Sequence, residues 1–160
     1  EWNRNDLSIN KAEIYDQFEK IAKDINGKFN INYSDEIPNV GIFVSKQNHC
    51  LIDLLWRVRN GELKMNVPLI ISNHPDLENI AKDFEAEFVY IDTSNFSKSN
   101  VESQILNLLK DFDIELVVLA KYMQILSESF LENYSSIINI HHSFLPAFKG
   151  AQPYLSLIHI

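Results

Sequence analysis

Two polar residues near the end of the chain, Asn139 and His141, are of types that can act on a carbonyl group. The apolar residues around Asn139 predict a buried strand over 137–140. Side chains two apart on a strand share a face, so Asn139 and His141 can project into one cleft. An asparagine amide can donate a hydrogen bond to an oxygen that gains negative charge, and a histidine can exchange a proton near neutral pH. The same spacing equally fits Asn139 bonding to loop backbone and His141 being a hydrogen-bonded residue at a strand end.

Two other chemistries fit this region poorly. Zinc needs three or four converging ligands, whereas His141 and His142 would lie on opposite faces of the strand, so we predict no metal site. Ser143 lacks the Gly-x-Ser-x-Gly setting of a nucleophilic serine and precedes Leu145 and Pro146 in a loop. We therefore interpret Ser143 as a hydroxyl that shapes the loop.

A second polar stretch, residues 45–50, contains no glycine that would let the backbone approach a phosphate closely. The sequence thus disfavours a nicotinamide cofactor. Lys46 and His49 are more typical of solvated loop residues than of ligands. Cys50, at a predicted helix start, is more typical of a small packing residue than of a nucleophile.

A third stretch, residues 120–127, is apolar and aromatic where a polar turn is expected. Such a loop could line a flat ring. Met123, Ile125 and Leu126 are also hydrophobic enough to be ordinary core residues, and composition alone favours that interpretation.

The elements that must position these loops alternate between apolar strands and amphipathic helices, which is typical of a mostly parallel sheet in a Rossmann-like α/β fold. The predicted strands span 40–44, 67–71, 88–91, 116–120 and 137–140, and the predicted helices lie over 51–58, 77–84 and 101–112. In such sheets ligands bind beyond the carboxyl ends of the strands, and the three stretches described above all lie at or directly after the end of a predicted strand.

The start of the chain has a different pattern. Asn10 and Glu13 are spaced as a capping box, Gly27 is placed to end the helix, and residues 29–33 alternate as a strand does. One helix and one strand cannot bury their apolar faces alone, so residues 1–35 are expected to be the end of an α+β module that begins upstream.

Composition restricts the possible partners and compartment. Of 160 residues, 46% are hydrophobic, which is enough for a core, and the net charge of -8 is unfavourable for binding nucleic acid or anionic lipid. A single cysteine and no apolar run of about 18 residues favour a cytoplasmic protein without a membrane anchor. The first residue is Glu1 and the last residues are apolar, so we expect the chain to be cut at both ends.

Residues 139–151, Asn-Ile-His-His-Ser-Phe-Leu-Pro-Ala-Phe-Lys-Gly-Ala, resemble the signature of the formyltetrahydrofolate deformylases, members of the formyltransferase-like superfamily. Residues 44–51 with Arg57, and residues 119–127, resemble the same family. The resemblance implies that 38–154 is the N-terminal part of a formyltransferase-like catalytic domain.

By the same resemblance, residues 1–35 are a C-terminal remnant of an ACT-type regulatory domain. Residues 155–160 do not match the family's continuation. The family's catalytic aspartate is expected beyond the end of this sequence, so the 160-residue piece should be inactive alone. We expect the full-length protein to be a homo-oligomer.

The implied reaction is hydrolysis of 10-formyltetrahydrofolate to tetrahydrofolate and formate, which links one-carbon metabolism to purine synthesis. The folate is the substrate, and no permanently bound cofactor is implied. Asn139 would bind the formyl oxygen as it becomes an oxyanion, and His141 would stabilise that charge and move protons. The resemblance also assigns the pterin pocket to residues of the third stretch, namely Met123, Gln124, Ile125 and Leu126.

Two alternatives remain open at this point. One is a formyltransferase that uses glycinamide ribonucleotide or another amine as the acceptor, since related transferases share the Asn-x-His core. The sequence of residues 46–50 and of 142–144 favours water as the acceptor. The other alternative is a non-catalytic, ACT-linked protein that binds a small ligand.

Overall fold

The computed structural model describes residues 10–31, 33 and 36–140, and the chain divides between Glu36 and Ile37 into two compact units. The first unit contains helix α1 (Lys11–Asp24). The predicted capping box is confirmed, because the side chains of Asn10 and Glu13 each accept a hydrogen bond from the other residue's backbone N–H at 2.9 Å.

The predicted strand over 29–33 is absent from the described residues of that range, which are irregular. Phe29, the first apolar residue of that range, instead packs on α1. The ring of Phe29 lies 5.0 Å from that of Tyr15 and 6.0 Å from that of Phe18, measured between centroids. An isolated strand has no neighbour to satisfy its backbone groups, so the alternating pattern alone could not establish one.

The second unit consists of a parallel sheet with its connecting helices. In chain order the elements are β1 (Asn39–Val44), α2 (His49–Arg59), β2 (Asn66–Ser72), a 3-10 turn (Pro75–Leu77), α3 (Glu78–Asp83), β3 (Glu87–Tyr90), α4 (Lys98–Asp111), β4 (Leu116–Ala120), α5 (Glu128–Asn133) and β5 (Ile137–Ile140). All strand pairs are parallel and the sheet order is β3-β2-β1-β4-β5. The predicted α/β fold is confirmed, with every strand of this unit within one residue of its expected bounds.

Both faces of the sheet are covered, because strand residues alternate between two apolar clusters. Phe43 of β1 and Leu119 of β4 belong to the cluster that includes Ile105 of α4. Ile42 of β1 belongs to the cluster that includes Leu55 of α2. A strand buried on both faces has to be apolar at nearly every position, which explains the continuous runs in the sequence.

Helices α3 and α4 end with the same backbone conformation. Glu85 after α3 and Asp113 after α4 adopt positive φ values of 61° and 48°. The next residue in each case, Ala86 or Ile114, donates its N–H to a carbonyl in the last helical turn, at 3.1 and 2.8 Å respectively. This is the Schellman arrangement, which turns the chain sharply back toward the sheet. After α1 the left-handed residue is Asn26 (φ 51°), one position before the predicted Gly27.

Strand β5 differs from the expectation of a buried strand. It is at the edge of the sheet formed by the described residues, and Ile138 and Ile140 are 53% and 37% exposed. Apolar composition does not distinguish a central strand from an edge strand. Within the described residues, no helix combines the length and apolarity needed to span a bilayer.

Candidate functional site

The strand order reverses between β1 and β4, with β2 and β3 on one side and β5 on the other. In open parallel sheets this reversal creates a crevice outside the carboxyl ends of the two strands, and ligands bind there. The loops at this point are residues 45–48 after β1 and residues 121–127 after β4. They contain two of the three stretches selected from the sequence.

Ser45 connects three of the loops at this edge. Its hydroxyl accepts a hydrogen bond from the backbone N–H of Met123 at 2.9 Å and donates one to Oδ1 of Asn73, after β2, at 2.7 Å. Ser45 is only 4% exposed, so water cannot readily replace these bonds. The serine therefore fixes the start of the 123–127 segment against β1 and β2.

Lys121 makes a second connection between the loops after β1 and β4. Its ammonium group donates a hydrogen bond to Oε1 of Gln47. The backbone of Lys121 has φ 57°, a left-handed conformation that is strained by about 1 kcal/mol or more for a residue with a Cβ. Such strain is often found at functional sites, where the surrounding structure holds it in place.

Lys46 in the loop after β1 and His49, the first residue of α2, are both exposed, as expected of solvated residues. Cys50 is partly buried and packs against the apolar cluster beneath α2, as expected of a packing residue.

A cavity of about 340 Å³ lies against the β4 loop. All four residues assigned to the pterin pocket line it, and the remaining lining residues are Thr93, Lys98, Val101, Glu102, Ile105 and Tyr122. Met123 is 49% exposed and Ile125 is 85% exposed, so these two side chains are not core residues. Leu126 is partly buried and packs against the core. The interpretation of the loop as ordinary core is therefore wrong for Met123 and Ile125.

The backbone of this segment offers hydrogen-bond donors. Met123 and Ser127 donate their N–H groups to Ser45 and Glu102. Among the residues described by the structure, the N–H groups of 124, 125 and 126 have no protein acceptor. A half-open apolar wall with spare backbone donors suits a flat ligand that has acceptor atoms on its edge.

Glu102 of α4 lies at the far end of the same segment. It is 8% exposed, and its carboxylate accepts two hydrogen bonds from Ser127, one from the backbone N–H at 2.7 Å and one from the hydroxyl. Burial, followed by the negative charge of Glu102, raises the pKa of Tyr122 to about 12. Tyr122 is therefore neutral at physiological pH. A second cavity, of about 320 Å³, shares Glu102 and Lys98 with the first.

Thr93 reaches the cavity from the loop after β3. Asp92 precedes it and accepts hydrogen bonds from the hydroxyl and the backbone N–H of Ser94, at 2.5 and 2.8 Å, and from Nδ2 of Asn95 at 2.5 Å. The hydrogen bonds from Ser94 lower the pKa of Asp92, which stays charged and holds the turn.

Asn139 is exposed on β5, opposite Leu119 of β4. It shares a strand face with Ile137, which packs against the apolar cluster that also contains the cavity residues Ile105 and Tyr122. Asn139 and the cavity thus belong to the same side of the sheet. His141, like His142 and Ser143, lies outside the described residues, so its pairing with Asn139 stays a prediction.

Sequence reasoning missed Ser45 and Glu102. Glu102 is three residues before Ile105 and seven before Leu109, so it falls on the apolar face of α4. An acidic residue on a buried face requires a partner, and that signal could have identified it. Ser45 carries a weaker signal, since a serine after a strand is common.

The family model described as formyl transferase matches residues 38–159. The chain is 46% identical over 154 residues to the formyltetrahydrofolate deformylase of Synechocystis sp., covering 96% of this chain and 54% of that protein. The crystal structure of formyltetrahydrofolate deformylase from Burkholderia mallei is 41% identical and superposes with a TM-score of 0.82, covering 91% of this chain and 52% of that one. Phosphoribosylglycinamide formyltransferase from Bacillus halodurans is 30% identical, with a TM-score of 0.71 over 76% of this chain and 64% of that one. The chain spans about half the length of the curated relatives it matches.

Proposed function

Because the chain belongs to the formyl transferase family, we propose that it is part of an enzyme that hydrolyses 10-formyltetrahydrofolate to tetrahydrofolate and formate. The observation that carries the proposal is the half-open cavity beside β4, with an apolar wall and unused backbone donors, on the same side of the sheet as Asn139. The names of several relatives support the same reaction.

We infer that Met123, Gln124, Ile125 and Leu126 line the pterin site. The exposure of Met123 and Ile125 supports this role, since their apolar side chains are available to a flat ring. The spare N–H groups in the segment suit the acceptor atoms on a pterin edge.

In the proposed reaction a water molecule adds to the formyl carbon, and the formyl oxygen becomes an oxyanion. Asn139 would donate its amide N–H to that oxygen, and His141 would stabilise the charge and exchange protons. The bond between the formyl carbon and N10 then breaks, N10 takes up a proton, and formate leaves. The exposure of Asn139 supports its access to a ligand.

The loop after β1 favours water over an amine as the acceptor. The link between Lys121 and Gln47 places two long side chains where the loops after β1 and β4 meet. The stretch 45–50 lacks the glycine that a close phosphate contact requires. Both features support hydrolysis over transfer to glycinamide ribonucleotide.

Product analysis with the full-length protein tests this choice. The protein is incubated with 10-formyltetrahydrofolate in H2¹⁸O, with and without glycinamide ribonucleotide. We expect formate that carries ¹⁸O, in amounts equal to tetrahydrofolate and unaffected by the amine. Formylated amine without formate would establish a transferase, and no product of either kind would exclude both activities.

We also propose that residues 1–35 are a remnant of an ACT-type regulatory domain and that 38–154 begin the catalytic domain. The family match continues to residue 159, so it does not separate the expected tail 155–160 from that domain. The division of the chain at Glu36 and the start of the family match at residue 38 support this organisation. Calorimetric titration of the full-length protein with glycine or methionine should detect binding, and the absence of heat with both amino acids would contradict a regulatory role for them.

A further inference from the structure

We propose that Glu102 is a positioning residue that holds the 123–127 segment in the shape needed to bind the folate ring. The inference rests on the proposed function and assigns a role to a residue outside the reacting groups. Its starting observation is a carboxylate only 8% exposed, whose two oxygens are both bonded to Ser127.

Burying a carboxylate is unfavourable unless it is well paired, and the described residues around Glu102 provide no ion pair for it. The two hydrogen bonds from Ser127 offset part of this cost, and charge-assisted bonds of this kind are about twice as strong as neutral ones. The two bonds to Ser127 are therefore the contribution that Glu102 makes in return for the cost of its burial.

The position of Glu102 explains what it contributes. Ser45 holds the N–H at the start of the segment, and Glu102 holds the N–H at its end. Only the three donors of residues 124–126 remain without a protein acceptor among the described residues. The segment is therefore fixed at both ends before the ligand binds, so that binding does not have to order it.

Ser127 also connects the segment to α5. Its hydroxyl donates to Glu102 and accepts from the backbone N–H of Phe130 at 3.1 Å, which caps the helix. Loss of Glu102 would free the hydroxyl to rotate and would loosen both the segment and the start of α5.

Three substitutions in the full-length protein test the proposal. Glu102→Ala removes both bonds, Glu102→Asp keeps the charge but shortens the reach, and Glu102→Gln keeps the reach without the charge. We expect KM for 10-formyltetrahydrofolate to rise about tenfold in the first two, which corresponds to about 1.4 kcal/mol, with kcat within about threefold. Glu102→Gln should stay within about threefold of the wild type in both parameters.

Glu115→Ala is the matched control. Glu115 also accepts a backbone N–H, that of Asn39 at 3.0 Å, but it lies at the amino-terminal edge of the sheet. Its loss should leave KM unchanged. Amide hydrogen exchange of peptides covering 122–127 supplies a second readout, and exchange should be faster in Glu102→Ala and Glu102→Asp than in the wild type.

Wild-type KM in both Glu102→Asp and Glu102→Ala would overturn the inference while leaving the reaction intact. If Glu102→Ala does not fold, the KM values of Glu102→Asp and Glu102→Gln are compared instead. A larger KM for Gln than for Asp would indicate that charge, rather than reach, is what matters, and would refute a positioning role. No turnover by the wild type would instead refute the proposed function.

Discussion

Replacing Ser45 with alanine should separate the loop after β4 from its support at the carboxyl edge of the sheet. The substitution removes one acceptor and one donor, which leaves the N–H of Met123 and Oδ1 of Asn73 without their bonds to Ser45. The change in volume is small, so any effect comes from hydrogen bonding rather than from packing.

The magnitude follows from the burial of this contact. A buried donor left unpaired costs about 1–3 kcal/mol, and the loss is expected near the middle of that range because Asn73 is only half-buried and can bond to water. We therefore expect the free energy of unfolding to fall by about 2 kcal/mol. With an m-value of about 2 kcal/mol/M, the urea midpoint should fall by about 1 M.

Urea denaturation of the full-length protein, followed by circular dichroism, measures this effect. Ser103→Ala is the control, because Ser103 is exposed on α4 and its side chain makes no hydrogen bond among the described residues. Its free energy of unfolding should change by about 0.5 kcal/mol or less. A Ser45→Ala variant as stable as this control would show that the three loops are not held together by the serine, and would refute the reasoning.

Two further predictions concern stability. Because the pKa of Tyr122 is raised, its stabilising contribution is complete below the unfolded pKa of about 10 and is lost as the pH rises through about 12. Between pH 9 and 12 the free energy of unfolding should therefore fall less in Tyr122→Phe than in the wild type, by on the order of 2 kcal/mol, and parallel profiles of urea midpoint against pH would contradict this. Glu85→Gly should increase the free energy of unfolding by about 1 kcal/mol, because Glu85 has a φ of 61° that glycine adopts without strain, whereas Glu87→Gly in β3 should decrease it. A decrease in the free energy of unfolding of both variants would exclude strain at Glu85.

The strands were predictable because each is a short apolar run between helical patterns, and a sheet covered on both faces requires such runs. The exposed position of β5 was not predictable, because Ile138 in an edge strand looks the same in the sequence as Ile42 in a central one. The pairing order of strands depends on contacts distant in sequence. Only the order β3-β2-β1-β4-β5 shows that the loops after β1 and β4 meet at the reversal point.

The candidate site was only partly predictable for a related reason. Residue type made Asn139 a candidate, whereas composition favoured a core role for Met123 and Ile125, and only the family resemblance assigned these two residues to a pterin pocket. Their exposure depends on where the chain turns after Lys121, which has a backbone conformation that lysine rarely adopts. The supporting contacts of Ser45 and Glu102 join residues distant in sequence, and spacing carries no information about such pairs.

The central claim is that Asn139 stabilises the charge that develops on a formyl oxygen at this edge of the sheet. Steady-state kinetics and folate binding of Asn139→Ala in the full-length protein test it most directly. We predict a fall in kcat on the order of 100-fold, with the Kd for a non-hydrolysable folate within about threefold of the wild type. An unchanged kcat would contradict the claim and remove Asn139 from the reaction.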